Sequence, residues 1–282
     1  MSATLLGQSV LSGIFSGSLY ALLGLGLTLS WRYLKIINLA HFAFIFLAAY
    51  FTYQLAGPGK LPPLLVVLLL APAFFVLGVA QQAFLDHFKV DEFASIIVTF
   101  GMTILAEVLI QWIWSADFVR LETQFLRGSI EVGPFFLPRQ EMLLAAISLA
   151  LCLATAAFLQ RTWIGKALRA GLDNPQIAAA FGVPNRKLSL MVAGVAGALA
   201  AIGGAFMALL FTLAPAQIYT WFGVVLAAVL LGGLGSAMGV FAAGLLIGVS
   251  EAVTMAITAP AWAPVVPFTL LILILVLWPE RV

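Results

Sequence analysis

Three ionisable side chains stand inside long apolar stretches of the chain: His41, Glu107 and Glu251. In hydrocarbon an imidazole or a carboxylate is expensive, so each is a candidate for contact with a polar solute or for gating its path. Glu107 lies four residues before Gln111, and that spacing puts both on one helix face. Glu251 falls in the outer half of its segment, within reach of water. His41 lies just inside a helix start, where interfacial water satisfies it, and Asn38 stands three residues earlier. The plainer reading of each is a hydrogen-bonded packing group. No two of them form a catalytic or metal-ligating pair, since HExxH, CxxC, a Gly-x-Ser-x-Gly elbow and a Walker A loop are all absent from the sequence. The expectation is a protein with no catalytic residues, no metal, no cofactor and no ATPase of its own. Cys152, the single cysteine, sits in an apolar run as a small hydrophobe.

A second stretch stands out by its polarity. Residues 160–187 hold Arg161, Lys166, Arg169, Arg186 and Lys187, yet also the apolar run Ile177-Ala178-Ala179-Ala180-Phe181. Asp173-Asn174-Pro175 is a helix start, a capping side chain followed by Pro at the first helical position. Gly182 suits the left-handed stop at the other end. A short helix over 173–182 is expected, with Gln176, Ala178 and Phe181 on it. Such a helix either docks into a groove on a soluble partner or lies on lipid headgroups.

The elements that carry these residues follow from composition. Of 282 residues 63% are hydrophobic and 9% charged, against roughly 45–50% and 25% in soluble domains. Too little polar surface is available to cover a soluble fold. The net charge of +2 gives no reason to expect a nucleic-acid partner. Charge-free stretches and turn residues mark apolar segments at 8–29, 37–56, 62–85, 94–115, 140–159, 188–211, 217–233, 237–257 and 263–279. The 217–233 piece is short enough to be half-inserted, which leaves eight to nine segments. Each must be helical, because bilayer carbon offers no partner to an open backbone group, and segments apolar on every face exclude a β-barrel. The fold expected is all-α, a polytopic transmembrane helical bundle forming one domain over 1–282. The first segment, without a basic start, reads as a span rather than a cleaved signal.

Loop cations set the orientation. Placing 160–187 in the cytoplasm puts Arg32, Lys35, Lys89, Arg161, Lys166, Arg169, Arg186, Lys187 and Arg281 inside. Lys60, Arg120, Arg127 and Arg139 then lie outside. The N-terminus is expected outside and the C-terminus in the cytoplasm. Small residues recur every four positions: Gly13, Gly17 and Ala21; Ala193, Gly197, Ala201 and Ala205; Gly244 and Gly248. They allow close helix approach, and their abundance suggests a second membrane subunit packed against this one.

Three motifs in register carry a resemblance. Gly17-Ser18-Leu19-Tyr20-Ala21-Leu22-Leu23-Gly24 through Thr28 is followed by Ile37-Asn38-Leu39-Ala40-His41. Arg161-Thr162-Trp163-Ile164-Gly165-Lys166-Ala167-Leu168-Arg169 leads through Asp173-Asn174-Pro175 to Gly182. Leu231-Gly232-Gly233-Leu234-Gly235-Ser236 runs on to Gly239 and Glu251. Together, over about residues 10–279, they resemble the permease subunits of branched-chain amino acid ABC importers, more closely the shorter of the two paired permeases. Two positions depart from that pattern: Phe42 where the family usually has Gly, and Gln176 where the coupling loop often has Glu.

The resemblance implies a membrane permease that moves a small solute using ATP hydrolysed elsewhere. The solute would be a branched-chain or other amino acid, or a related acid or amide. It implies a second homologous permease, two cytoplasmic ATP-binding subunits, an external solute-binding protein, and membrane lipid around a multi-pass inner-membrane protein. Arg169, Asp173, Gln176, Ala178, Phe181 and Gly182 would then meet the ATPases, while Asn38, His41, Glu107 and Glu251 are the candidates for the path. The rival is a stand-alone carrier or channel, but an ion-coupled carrier usually shows more intramembrane carboxylates than Glu107 and Glu251.

Overall fold

The computed structural model describes residues 3–57 and 60–277. Arg281, assigned above to the cytoplasmic side, and the end of the 263–279 segment lie outside the described residues. The chain forms α1 (Ala3–Leu34), α2 (Ala40–Leu55), α3 (Pro63–His87), α4 (Glu92–Trp114), β1 (Ser129–Val132), β2 (Phe135–Pro138) and α5 (Arg139–Arg161). It continues with α6 (Trp163–Asp173), α7 (Pro175–Ala180), α8 (Asn185–Leu210), α9 (Ile218–Gly232), α10 (Ala237–Ile257) and α11 (Val265–Leu277). Every expected apolar segment is a helix, and seven helices are long and apolar enough to cross a membrane. The 217–233 piece reaches membrane length because a 3-10 turn at Pro215–Gln217 runs into α9. The shorter apolar helices are instead α2, of 16 residues, and α11.

The bundle has an inner and an outer set. The most apolar windows of α1 and α8 are 67% and 72% buried, whereas that of α5 is 22% buried. α1 and α10 meet at Gly13, Gly17, Gly244 and Gly248: a Cβ on Gly17 would stand 2.7 Å from the Leu245 Cα, and one on Gly244 2.9 Å from the Ala21 nitrogen. α3 and α8 meet in the same manner, with Gly78 against the Ala193 carbonyl and Gly197 against that of Phe74. The small-residue stripes are therefore spent within this chain. Their abundance reflects two backbone-to-backbone crossings, each needing small residues along it, and gives no ground for a second subunit.

α2 is largely enclosed, with Phe42, Phe46, Ala48, Ala49 and Tyr50 at 0% exposure. At 1.5 Å per residue it is about 24 Å long, less than the roughly 30 Å hydrocarbon layer. It hangs from α1 by an extended link at residues 35–38, which begins with Lys35 in the left-handed region (φ 54°).

Two ends of the bundle are distinguishable. One carries a β-hairpin that the all-helical expectation did not include, with Val132 paired to Phe135 across a two-residue turn opened by Gly133 at φ 59°. Gln8 of α1 fastens the hairpin, donating to the Phe136 carbonyl at 2.9 Å and accepting from its N–H at 3.0 Å. The other end carries α6 and α7. There the Leu231-Gly-Gly-Leu-Gly-Ser motif makes the α9–α10 turn, with Gly233 and Gly235 at φ 83° and 80°. The Gly235 N–H donates to Thr28 Oγ1 at 2.8 Å, and Ser236 caps α10.

Candidate functional site

The stretch after α5 is two helices, where one was expected. Thr162 caps α6, accepting from the Gly165 N–H at 3.1 Å. Ile164, Ala167, Leu168 and Leu172 turn one face of α6 inward, while Lys166 and Arg169 stay exposed. That apolar spacing was the available signal, hidden in a segment read for its charges. Asp173 is the last residue of α6 and does not cap; Asn174 does, its Oδ1 accepting from the N–H groups of Gln176 and Ile177 at 3.1 and 3.0 Å. With Pro175 at the first helical position, as expected, the residue directly before it is the one placed to reach the next amides, and the helix drawn from 173 starts at Pro175.

α7 ends as expected. Gly182 is at φ 83°, its N–H bonds the Ala179 carbonyl, and the Val183 N–H bonds that of Ala178, the paired pattern that satisfies a helix's last carbonyls. Asn185 Nδ2 donates to the Pro175 carbonyl at 3.0 Å and ties α7 to α8. Ala178 is buried, while Phe181 is 86% and Ile177 56% exposed. Arg169 reaches back to the Gln160 carbonyl at 3.4 Å, and Gln176 is exposed. A cavity of about 810 Å³ opens beside this unit, bordered by Lys35, Asp86, Lys89 and Arg186.

The four path candidates separate into different environments. Asn38 exchanges two amide hydrogen bonds with Gln81 of α3, at 3.1 and 2.8 Å. Next to it the Leu39 N–H donates to Thr99 Oγ1 of α4 at 3.0 Å. The extended link before α2 is thereby pinned to two helices. His41 is 1% exposed, and its Nε2–H donates to the Leu23 carbonyl at 3.0 Å. Interfacial water, invoked from the sequence, is not its partner; the absent side chain of Gly26 leaves room for its ring against α1.

The two carboxylates are each held by a tyrosine. Tyr20 Oη donates to Glu251 Oε2 at 2.7 Å, with Glu251 8% exposed, so the expectation that it is wet fails. Tyr219 Oη donates to Glu107 Oε2 at 2.6 Å, and Gln111 Nε2 donates to Glu107 Oε1 at 3.1 Å, as the four-residue spacing foresaw. Glu107 is half-buried and Tyr219 is 38% exposed. Tyr20 and Tyr219 were not singled out from the sequence. A tyrosine in a span carries no charge to mark it, and nothing local announces its partner.

Among the described residues no three His, Cys, Asp or Glu side chains gather where a metal could bind. An inner layer of tightly crossed spans, a few paired polar groups within it, and a capped polar helix unit at one end define a polytopic helical membrane protein. The chain belongs to the family described as "Branched-chain amino acid transport system / permease component", whose sequence profile matches residues 9–275.

Named relatives agree. The high-affinity branched-chain amino acid transport system permease protein LivH of Salmonella typhimurium is 23% identical over 98% of this chain and 94% of its own. BraD of Pseudomonas aeruginosa, also a high-affinity branched-chain amino acid transport system permease protein, is 22% identical over the same shares. A probable branched-chain amino acid transport permease protein LivH of Methanocaldococcus jannaschii is 24% identical over 86% of this chain and 80% of its own. No solved structure matches the chain. It is a multi-pass permease subunit of the ABC-importer kind in the cytoplasmic membrane, from a family that works with ATP-binding and solute-binding partners.

Proposed function

We propose that the chain imports branched-chain amino acids, or a closely related small amino acid, acid or amide, as one of two homologous permeases on two ATP-binding subunits. The relatives' names support the solute class. The Lys/Arg asymmetry supports a cytoplasmic α6–α7 end and an external hairpin end, where the solute-binding protein delivers its cargo. The observation that carries the assignment of partners is α7. It is capped at both ends, tied to α8, and presents Phe181 and Ile177 outward with no cover from the bundle. A short rigid helix of this kind transmits motion that a flexible loop would absorb, and an exposed aromatic makes an anchor for a hydrophobic pocket.

In this reading Phe181 is the anchor, Ala178 lets α7 sit close to its own bundle, and Gly182 ends the helix. Arg169, Asp173 and Gln176 form the polar rim. Of the path candidates, Glu107 keeps that role, while the geometry of Asn38, His41 and Glu251 supports packing roles.

The test is affinity purification of the tagged chain from cells expressing the neighbouring transport genes, followed by uptake in proteoliposomes. Two membrane subunits, two ATPases and ATP-dependent leucine uptake are expected. Uptake by this chain alone, driven by an ion gradient without ATP, would establish the stand-alone carrier instead.

A further inference from the structure

We propose that Glu107, Tyr219 and Gln111 form a recognition site for the ammonium group of an amino-acid solute, set in a trough between α4 and α9 that is open on one side. The inference rests on the permease reading above and gives the path its chemistry. Phe100, Ile104, Glu107 and Gln111 follow one another at four, three and four residues, so they share one face of α4. That face is not sealed: Phe100 is 40% and Ile104 41% exposed. α9 supplies the facing side with Tyr219 and Phe222, and Tyr219 spans the gap through its 2.6 Å bond to Glu107. The buried α2 closes the floor, its Phe42 ring 4.3 Å from that of Phe222.

The acceptor count points to a cation. An ionised carboxylate has about four lone-pair sites. Gln111 uses one on Oε1 and Tyr219 one on Oε2, which leaves acceptor capacity on both oxygens. α4 and α9 contain no Lys or Arg to use it. The comparison within the molecule is Glu251, held by the same tyrosine contact but buried. A half-open carboxylate in a span is costly against lipid, so the trough faces a wet path. An ammonium brings three donors and the opposite charge. The ring of Phe100, 6.2 Å from that of Tyr219, and the ring of Phe222, 5.6 Å from it, offer faces that attract a cation and cover an apolar side chain. α4 and α9 carry no cation for the solute's own carboxylate, so that end must be met by another element.

The experiment uses the assembled complex in nanodiscs, with Ile104→Cys as a reporter in a Cys152→Ala background. The rate of maleimide modification is measured with leucine, 3-methylbutylamine and 4-methylpentanoate as probes. Leucine and the amine should slow modification, and the ammonium-free acid should not. Glu107→Gln should raise the amine concentration needed for protection about 10- to 100-fold, the scale of one hydrogen bond to a charged group, and Glu107→Asp should recover part of it. If Glu107→Gln does not assemble, Tyr219→Phe, which removes only a hydroxyl, should weaken protection several-fold. Equal protection by acid and amine, or amine protection unchanged by these substitutions, overturns the site. ATP-driven uptake by the unaltered complex is measured separately. No uptake with amine protection intact would sink the transport reading alone, and normal uptake without protection would sink the site alone.

Discussion

Replacing Gly182 by alanine separates the coupling helix's conformation from its contacts. A Cβ built on Gly182 meets nothing within 4 Å, so the substitution adds no clash and removes no packing. What it adds is the cost of holding an L-residue at φ 83°, about 1–2 kcal/mol. That cost falls on the turn where the Gly182 and Val183 N–H groups satisfy the Ala179 and Ala178 carbonyls. α7 has only 6 residues and cannot spread the loss along its length. A penalty of this size lowers the ordered fraction of α7 relative to a frayed one by a factor of about 5–30. If the ATPases recognise the ordered helix, their apparent affinity should fall with its ordered fraction, by at most that factor, with the abundance of the chain in the membrane unchanged.

The assays are amide hydrogen exchange over residues 178–183 and titration of ATPase subunits onto the purified membrane complex. Unaltered protection of those amides would refute the account of the helix end. Lost protection with unaltered ATPase binding would refute the assignment of α7 as the docking element.

Other outcomes follow from the packing. Asn38→Ala removes both Asn38 hydrogen bonds from the Gln81 amide, leaving its Nε2 only the Met102 sulfur at 3.8 Å, and should cost about 1–3 kcal/mol of stability by detergent melting; the double Asn38→Leu, Gln81→Leu variant should cost less than the sum of the single changes. Gly244→Val drives side-chain atoms into the Gly17 backbone at the α1–α10 crossing, an overpacking cost of about 1–3 kcal/mol or more, read as lost membrane abundance on immunoblots. His41→Ala removes a buried donor to the Leu23 carbonyl, so uptake and abundance should fall in step, and a fall in uptake at full abundance would return His41 to the path.

Apolar length made the spans legible, because a bilayer rewards every such stretch alike, whatever its neighbours. Charge density made the α6–α7 region legible but concealed α6, whose inward face is only Ile164, Ala167, Leu168 and Leu172. The cap before Pro175 was legible, but the start drawn at 173 was two residues early, because Asp173 closes α6 instead. The hairpin at 129–138 was missed since eight strand residues carry little periodic signal. The partners of His41 and the two glutamates were beyond reach for another reason. Leu23, Tyr219 and Tyr20 are brought to them by helix crossings, and those crossings depend on where small residues of distant segments meet.

The enclosure of α2 also bears on how the protein is made. An element too short to span the hydrocarbon, and flanked on its faces by α8, α9, α3 and α4, has no stable berth in lipid by itself. Yet it leaves the ribosome long before α8, against which much of it rests, has been synthesised. Its final seat forms only after the C-terminal half arrives, so maturation runs against the order of synthesis. Until then His41 and the other inward groups of α2 have only provisional surroundings, and a chain halted before α8 is material for membrane proteases.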